Sequence, residues 1–192
     1  MARKGLSKEK VVEAATEFIE EKGYKDFSIR ELATRLNIKA ASLYNYIASM
    51  DELNREVALK AIEELKALQE AALADKERDE ALHALAVAYR DFAHRRPQLY
   101  KVIMQLPYME AQKLLDNGAD IIAPVMQALD MYQISAVEKM QYQRILRSVM
   151  HGFSDLETAG YFAHFPVDND QSYHLAIDNI IRNLHALENK QI

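Results

Sequence analysis

Residues whose side chains suit contact with a nucleic acid are concentrated between positions 39 and 46. Small residues at the start of this stretch would let the backbone approach base edges, serine and asparagine offer hydrogen-bond donors and acceptors, and tyrosine can reach phosphate oxygens. The pattern predicts a DNA-contacting surface, and the alternative is an ordinary helical hairpin whose polar face meets only solvent. The predicted contacts in this stretch are Lys39, Ala40, Ala41, Ser42, Tyr44, Asn45 and Tyr46.

Two short helices are predicted to position these side chains. Ser28 can cap the start of the first helix, and Glu31, three residues later, can return the hydrogen bond. Asn37 tolerates the left-handed conformation that ends a helix, and a second helix is expected to begin near residue 39 or 40. Leu43 and Ile47, four residues apart, would lie on its buried side. The arrangement is a helix-turn-helix.

The predicted contacts fall into two groups by their position relative to DNA. If the second helix enters the major groove, some of its side chains lie nearest the bases, and the other polar residues reach backbone phosphates. The base-facing group is Lys39, Ala40, Ser42 and Asn45, and the phosphate-facing group is Ser28, Thr34, Tyr44 and Tyr46.

The chain has the composition of a helix-rich globular protein. Of its 192 residues, 49% are hydrophobic and 28% are charged, with five glycines and four prolines. The absence of cysteine excludes disulfides, thiolate metal sites and a cysteine nucleophile. No apolar run reaches the roughly 18 residues of a membrane span, so a soluble, cytoplasmic protein without a membrane partner is expected.

The formal net charge of −5 does not exclude a nucleic-acid partner. Residues 1–60 contain 11 Lys and Arg against 10 Asp and Glu, so the acidic excess lies in the rest of the chain. Basic residues that share one face can still bind DNA, and Arg3, Lys4 and Lys8 form a candidate basic arm.

Helical patterns account for the rest of the chain, which predicts an all-α fold. Breaks in the pattern at Leu106, Pro107, Gly118 and Pro124 indicate that the middle of the chain is bent or split. The expected helices cover residues 8–22, 50–73, 79–95, 97–105, 135–159 and 171–187, with a bent or split segment reaching about residue 131.

The last two predicted helices carry apolar faces wider than one partner helix needs. A second subunit that packs the same pair against its symmetry mate would bury both faces in a four-helix bundle, so we expect a homodimer. Gly152, in mid-helix, costs about 1 kcal/mol relative to alanine, and close helix approach would be a reason to tolerate it. The faces comprise Val137, Met140, Ile145, Val149, Gly152, Phe153 and Leu156, and then Tyr173, Ile177, Ile180, Ile181, Leu184 and Leu187.

Aromatic and methionine side chains after residue 88 are candidates for lining a ligand cavity. Methionine adapts to irregular shapes and tyrosine offers a hydroxyl, which together suit a small, largely apolar molecule. Plain core packing is the alternative for each of them. The candidates are Tyr89, Phe92, Met104, Tyr108, Met109, Met126, Met150 and Phe153.

Patterns typical of metal or catalytic sites are weak. Glu80 and His83 have the Glu-x-x-His spacing, and Asp91 and His94 form its aspartate analogue, but a di-metal bundle needs a second Glu-x-x-His unit. His151 could contact a ligand, but a helix-interface hydrogen bond or a satisfied core position is favoured. No Gly-rich phosphate loop, nucleophile elbow or zinc-protease motif is present, so no catalytic residue, metal ligand or cofactor is predicted.

Several short stretches occur in an order shared with a known family. They are residues 23–24 (Gly-Tyr), 27–33 (Phe-Ser-Ile-Arg-Glu-Leu-Ala), Ile38, 42–47 (Ser-Leu-Tyr-Asn-Tyr-Ile) and 51–53 (Asp-Glu-Leu). Residues 7–60 thereby resemble the N-terminal domain of TetR-family transcriptional regulators. Ile47 departs from the usual Phe, and Met50 stands where the family has a phosphate-contacting Lys. Residues 88–93, 97–100, 150–153 and 156–157 resemble its Trp-His-Gly type of ligand-binding domain, with Met150 in place of Trp.

The resemblance implies a three-helix helix-turn-helix domain at residues 1–50 and a helical ligand-binding and dimerisation domain at residues 51–192. It implies a transcriptional regulator, a repressor that leaves its double-stranded DNA operator when a small molecule binds. A two-fold dimer would place its recognition helices about 34 Å apart, so the operator should be a near-palindrome. A helical small-molecule-binding protein without DNA binding is the alternative.

Overall fold

The computed structural model describes residues 5–109, 114–164 and 166–190, and every regular element within them is helical, which confirms the predicted all-α class. Across these three ranges no helix combines the length and apolar character needed to cross a bilayer. The helices are α1 (Lys8–Lys22), α2 (Ile29–Arg35), α3 (Ala40–Leu43), α4 (Met50–Leu73), α5 (Arg78–Arg95), α6 (Pro97–Met109), α7 (Leu114–Asp130), α8 (Ala136–Thr158) and α9 (Asn169–Glu188), with a 3₁₀ turn at Tyr24–Asp26.

The helices in the middle of the chain continue through the residues where breaks were predicted. α6 continues through Pro107, and α7 contains both Gly118 and Pro124. Val125 and Leu129 on α7 are 1% and 0% exposed, so tertiary packing of this face offsets the hydrogen bond that the proline nitrogen cannot donate. Elsewhere the helix bounds agree with the predicted ones to within a few residues.

The chain divides into two compact units. The first comprises residues 1–63 and 96–116, and the second comprises residues 64–95 and 117–192. α6 therefore belongs to the unit that holds the helix-turn-helix, although it follows α5 in the chain. The predicted functional boundary near residue 50 stays a prediction.

The first unit is built on buried faces of α1, α2 and α4, with α6 packed against α1. Lys8 Nζ lies 2.8 Å from a carboxylate oxygen of both Glu52 and Glu56, which joins the start of α1 to α4. The hydrogen bond with Glu52 raises the pKa of Lys8, and the same bond lowers the pKa of Glu52. Lys8, predicted to belong to a basic arm, therefore stays charged and is paired with two carboxylates within the fold.

A nearly buried charged group joins α5, α8 and α9 in the second unit. Arg90 binds both carboxylate oxygens of Glu157, at 2.7 and 2.6 Å, and one of Asp170 at 2.7 Å. Its guanidinium lies 5.1 Å from the ring centre of Tyr173. The side chains of Arg90 and Glu157 are only 13% and 12% exposed, so their pairing is needed to keep both charges in place.

A second charged cluster joins the first turn of α5 to the end of α9. Arg78 binds Glu188 at 2.7 Å, and Asp79 accepts hydrogen bonds from Tyr132 at 2.8 Å and from His185 at 2.9 Å. Tyr132 is 1% exposed, and burial raises its pKa above the ordinary value.

Glu157→Gln should lower the free energy of unfolding by about 3 kcal/mol at pH 7, because Arg90 then keeps only the exposed Asp170 as an anionic partner. The hydrogen bonds from Arg90 lower the pKa of Glu157, so this stabilisation is present above the unfolded pKa and is lost as pH falls through the folded one. Urea unfolding followed by circular dichroism should therefore show a smaller difference between the two proteins at pH 3.

The matched control is Asp91→Asn, which removes an exposed partner of Arg95 on the same helix. It should cost less than about 1 kcal/mol. Equal losses of unfolding free energy would show that the nearly buried pair of Arg90 and Glu157 stabilises the fold no more than the exposed pair of Arg95 and Asp91.

Candidate nucleic-acid interface

α2 and the turn after it form as predicted. Ser28 Oγ accepts a hydrogen bond from the N–H of Glu31 at 3.3 Å and donates one to the Glu31 carboxylate at 2.7 Å. Glu31 thus forms a reciprocal pair of hydrogen bonds with the serine hydroxyl. Asn37 has φ 53°, in the predicted left-handed region, and it ends the first helix.

α3 is shorter than predicted, because it ends at Leu43 and residues 44–46 form a turn. The N–H groups of Tyr46 and Ile47 both donate to the carbonyl oxygen of Leu43, at 2.8 and 3.1 Å. Leu43 and Ile47 are 0% and 2% exposed, which confirms that both face the core. Because Leu43 and Ile47 are held in the core, the other side chains of residues 39–46 are directed toward the surface.

The helix-turn-helix brings the predicted DNA contacts to the surface in different degrees. Tyr44 is 55% exposed, the largest exposure among the large apolar and aromatic residues of this region. The exposed members of the set are Thr34, Lys39, Ala41, Tyr44 and Asn45, and the half-buried members are Ser28, Ala40, Ser42 and Tyr46.

Three of the four predicted phosphate contacts have hydroxyl groups that are either already donating a hydrogen bond or buried in this conformation. The Ser28 hydroxyl donates a hydrogen bond to the Glu31 carboxylate, and the Thr34 hydroxyl donates one to the carbonyl oxygen of Arg30 at 2.9 Å. The Tyr46 hydroxyl is buried and has no hydrogen-bond partner among the described residues. Each would have to rotate to reach a phosphate, whereas Tyr44 is already exposed.

The sequence did not indicate the role of Arg35. Its guanidinium binds Glu21 at 2.6 and 2.8 Å and Glu17 at 3.2 Å, which ties α2 to α1. The pKa of Glu21 is lowered, mainly by these bonds. Glu17 and Glu21 are four residues apart on α1, so the sequence indicated that both carboxylates lie on one face of the helix. Nothing in the sequence identified Arg35 as their partner. Arg3 and Lys4 lie outside the described residues.

The ligand candidates are distributed between core and cavity. Phe153 lines a cavity of about 130 Å³ together with Phe162 and Val167 in the second unit. That volume is below the roughly 300–1,000 Å³ of ordinary ligand pockets. Tyr89, Phe92 and Met150 are buried at 6%, 1% and 0% exposure, Met104 and Met126 are half-buried, and Tyr108 and Met109 lie outside the residues whose side chains are described.

The apolar faces of the last two helices differ from each other. On α9, Ile177 and Leu184 are 0% exposed, so this face is covered within the chain and does not need a second subunit. On α8, Val137, Ile145 and Leu156 are 67%, 45% and 42% exposed. The unpaired apolar surface therefore lies mainly on α8.

The two histidines of the weak metal pattern contact single carboxylates. His83 Nε2 lies 2.8 Å from Asp178, and His94 Nε2 lies 2.9 Å from Glu157. Over the part of the chain that the structure describes, no three His, Asp or Glu side chains are grouped to hold a metal ion.

Two sequence families match this chain. The family described as "Bacterial regulatory proteins, tetR family" matches residues 11–57, which include α2 and α3. The family described as "Tetracyclin repressor-like, C-terminal domain" matches residues 82–180. The chain is also 31% identical over 170 residues to the HTH-type transcriptional regulator Rv0681 of Mycobacterium tuberculosis, a match that covers 85% of this chain and 75% of that one.

Solved structures share the fold at lower identity. Apo ActR from Streptomyces coelicolor superimposes with a TM-score of 0.72 at 17% identity, over 100% of both chains. BioQ bound to its double-stranded DNA operator gives a TM-score of 0.66 at 21% identity, over 92% of this chain and 98% of that one.

Ser28→Ala should lower the free energy of unfolding by about 1 kcal/mol, because the N–H of Glu31 loses its capping acceptor. Urea unfolding followed by circular dichroism measures the change. Ser42→Ala, a half-buried serine inside α3, is the control and should change stability by less than about 0.5 kcal/mol. If Ser28→Ala unfolds at the wild-type urea concentration, the cap does not stabilise α2 in solution.

Proposed function

The chain belongs to the TetR family of DNA-binding transcriptional regulators, and from this premise we propose that it is a homodimeric repressor that releases its operator when a small molecule binds its C-terminal part. This family consists of regulators rather than enzymes. The observation that carries the proposal is the helix-turn-helix, where Leu43 and Ile47 are buried and Lys39, Tyr44 and Asn45 face outward.

DNA reading is assigned to α3 and the turn that follows it. Lys39, Ala40, Ser42 and Asn45 face the bases, Ala41 permits close approach, and Ser28, Thr34, Tyr44 and Tyr46 bind phosphates. The complex of BioQ with a double-stranded operator supports a duplex as the partner, since that protein shares this fold. Because Ser28, Thr34 and Tyr46 must rotate their hydroxyls, Tyr44 contributes the phosphate contact that needs least rearrangement.

Dimerisation through the last two helices is assigned mainly to the exposed face of α8, because the predicted apolar face of α9 is covered within the chain. Ile145, Gly152 and Leu156 recur at spacings of seven and four, so they share one outward side of α8. A Cβ atom added at Gly152 would meet nothing within 4 Å in its own chain, so that position is open to a neighbouring helix. Two copies related by a two-fold axis would place their recognition helices about 34 Å apart on a near-palindromic operator.

The ligand is assigned to the C-terminal helices. A small, largely apolar molecule suits Tyr89, Phe92, Met104, Tyr108, Met126, Met150 and Phe153, and the cavity at Phe153 supports that part of the set. Tyr89, Phe92 and Met150 are buried, so they contact a ligand only if it enters the core beside them. A ligand that favours one dimer geometry by about 1–3 kcal/mol would lower DNA affinity about 5- to 150-fold.

The test of DNA binding is a mobility-shift assay with the DNA upstream of the coding region, at low salt. Wild-type protein should shift this fragment.

Tyr44→Phe should weaken binding to every sequence about equally, and Asn45→Ala should change the preferred sequence at a cost of about 1–3 kcal/mol for the original site. Uniform weakening by Asn45→Ala would remove it from the base-facing group. No shift with this fragment or with neighbouring promoters would favour the ligand-binding protein without DNA binding.

Gly152→Leu tests the dimer. The leucine meets open space within its own chain, so a loss of dimer would come from the partner helix. Sedimentation should show a monomer, and DNA affinity should fall by at least about tenfold while helicity persists. Ala67→Leu, also a small exposed residue in mid-helix, is the matched control and should stay dimeric. A dimeric Gly152→Leu protein with normal DNA affinity would exclude this face as the interface.

A further inference from the structure

The last two turns of α1 carry three glutamates, Glu17, Glu20 and Glu21. Negative charge near the C-terminus of a helix opposes the helix dipole, so these residues are unfavourable for α1 taken by itself. All three have partners on other helices. Glu17 and Glu21 bind Arg35 of α2, and Glu20 Oε2 accepts a hydrogen bond of 3.1 Å from the main-chain N–H of Leu99 in α6.

The first turn of α6 needs this acceptor. Pro97 has no N–H, and the N–H of Tyr100 already donates to the carbonyl oxygen of Arg96 at 2.9 Å. Leu99 lies between them in the turn, where a main-chain N–H has no acceptor within the helix. Leu99 is 0% exposed, so water does not replace the missing acceptor. The half-buried Glu20 carboxylate fills that role.

α1 therefore holds α6 and α2 through neighbouring carboxylates. Glu20 binds α6 on one side, and Glu17 and Glu21 bind α2 on another. α6 follows α5 directly in the chain and carries Met104, one of the residues assigned to the ligand. A displacement of α6 thus acts on α1 at Glu20, one residue away from the carboxylate that holds α2.

We propose that Glu20 is a positioning residue that couples α6 to the DNA-reading helices. The coupling rests on the proposed function, because it gives the route by which a change in the C-terminal helices reaches α2 and α3. The hydrogen bond between Glu20 and Leu99 transmits the displacement of α6, and the pairs with Arg35 pass it to α2.

Thermodynamic reciprocity makes this coupling measurable with DNA as the probe. If displacement of α6 lowers the affinity for DNA, then bound DNA must stabilise the α6 contact by the same factor. Hydrogen exchange of residues 97–103, measured by mass spectrometry, reports that stability. In the wild-type dimer, the duplex that shifts in the mobility assay should slow exchange of this segment by about 5-fold or more.

Glu20→Met keeps a long, helix-favouring side chain but has no acceptor oxygen. It should bind the same duplex, and the duplex should slow exchange of residues 97–103 by less than about twofold. Glu20→Gln retains an acceptor oxygen and should restore the wild-type response. The matched control is Glu13→Met on the same helix, because among the described residues Glu13 pairs with Lys60 of α4 at 3.6 Å.

Two results would overturn the coupling. One is a wild-type protein that binds the duplex without slower hydrogen exchange in residues 97–103. This result would refute the coupling even if Glu20→Met does not fold. The other is equal slowing in wild type and Glu20→Met. A wild-type protein that shifts no DNA fragment would instead refute the proposed function, and the coupling with it.

Discussion

The helix-turn-helix depends on the burial of two aliphatic side chains. α3 has four residues, and a helix of that length is unstable alone because nucleation is unfavourable. Leu43 and Ile47, at 0% and 2% exposure, hold it and the following turn to the core of the first unit. The Ser28 cap and the left-handed Asn37 then fix the angle at which the backbone enters α3. These contacts determine the positions of the outward-facing residues Lys39, Tyr44 and Asn45.

Two basic side chains of the first unit form ion pairs within the fold. Lys8 is paired with Glu52 and Glu56, and Arg35 with Glu17 and Glu21, whereas Lys39 is exposed. Lys39 is the one charged side chain among the nine predicted DNA contacts, so neutral hydroxyls and an amide supply the other polar contacts. A neutral donor releases no counterion when it binds phosphate, so the affinity of such a surface depends less on salt than that of a lysine-rich one.

The sequence predicted local structure well and long-range partners poorly. Spacing and capping chemistry predicted the Ser28 cap, the left-handed Asn37 and the burial of Leu43 and Ile47. They also predicted the ends of most helices. The continuity of α7 through Pro124 could not be predicted, since it depends on burial against other helices. The buried Tyr46 hydroxyl and the covered face of α9 were missed for the same reason, because exposure depends on residues far away in the chain.

The unit that contains the helix-turn-helix is discontinuous in sequence. Its segments, residues 1–63 and 96–116, are separated by a part of the other unit. At about 5–20 residues per second of translation, roughly 3 to 10 seconds pass between synthesis of Glu63 and of Asp116. During that interval α1 leaves the ribosome without α6 beside it. The apolar surface that α6 later covers is then accessible to chaperones, and a chain that stops before residue 96 would keep it exposed.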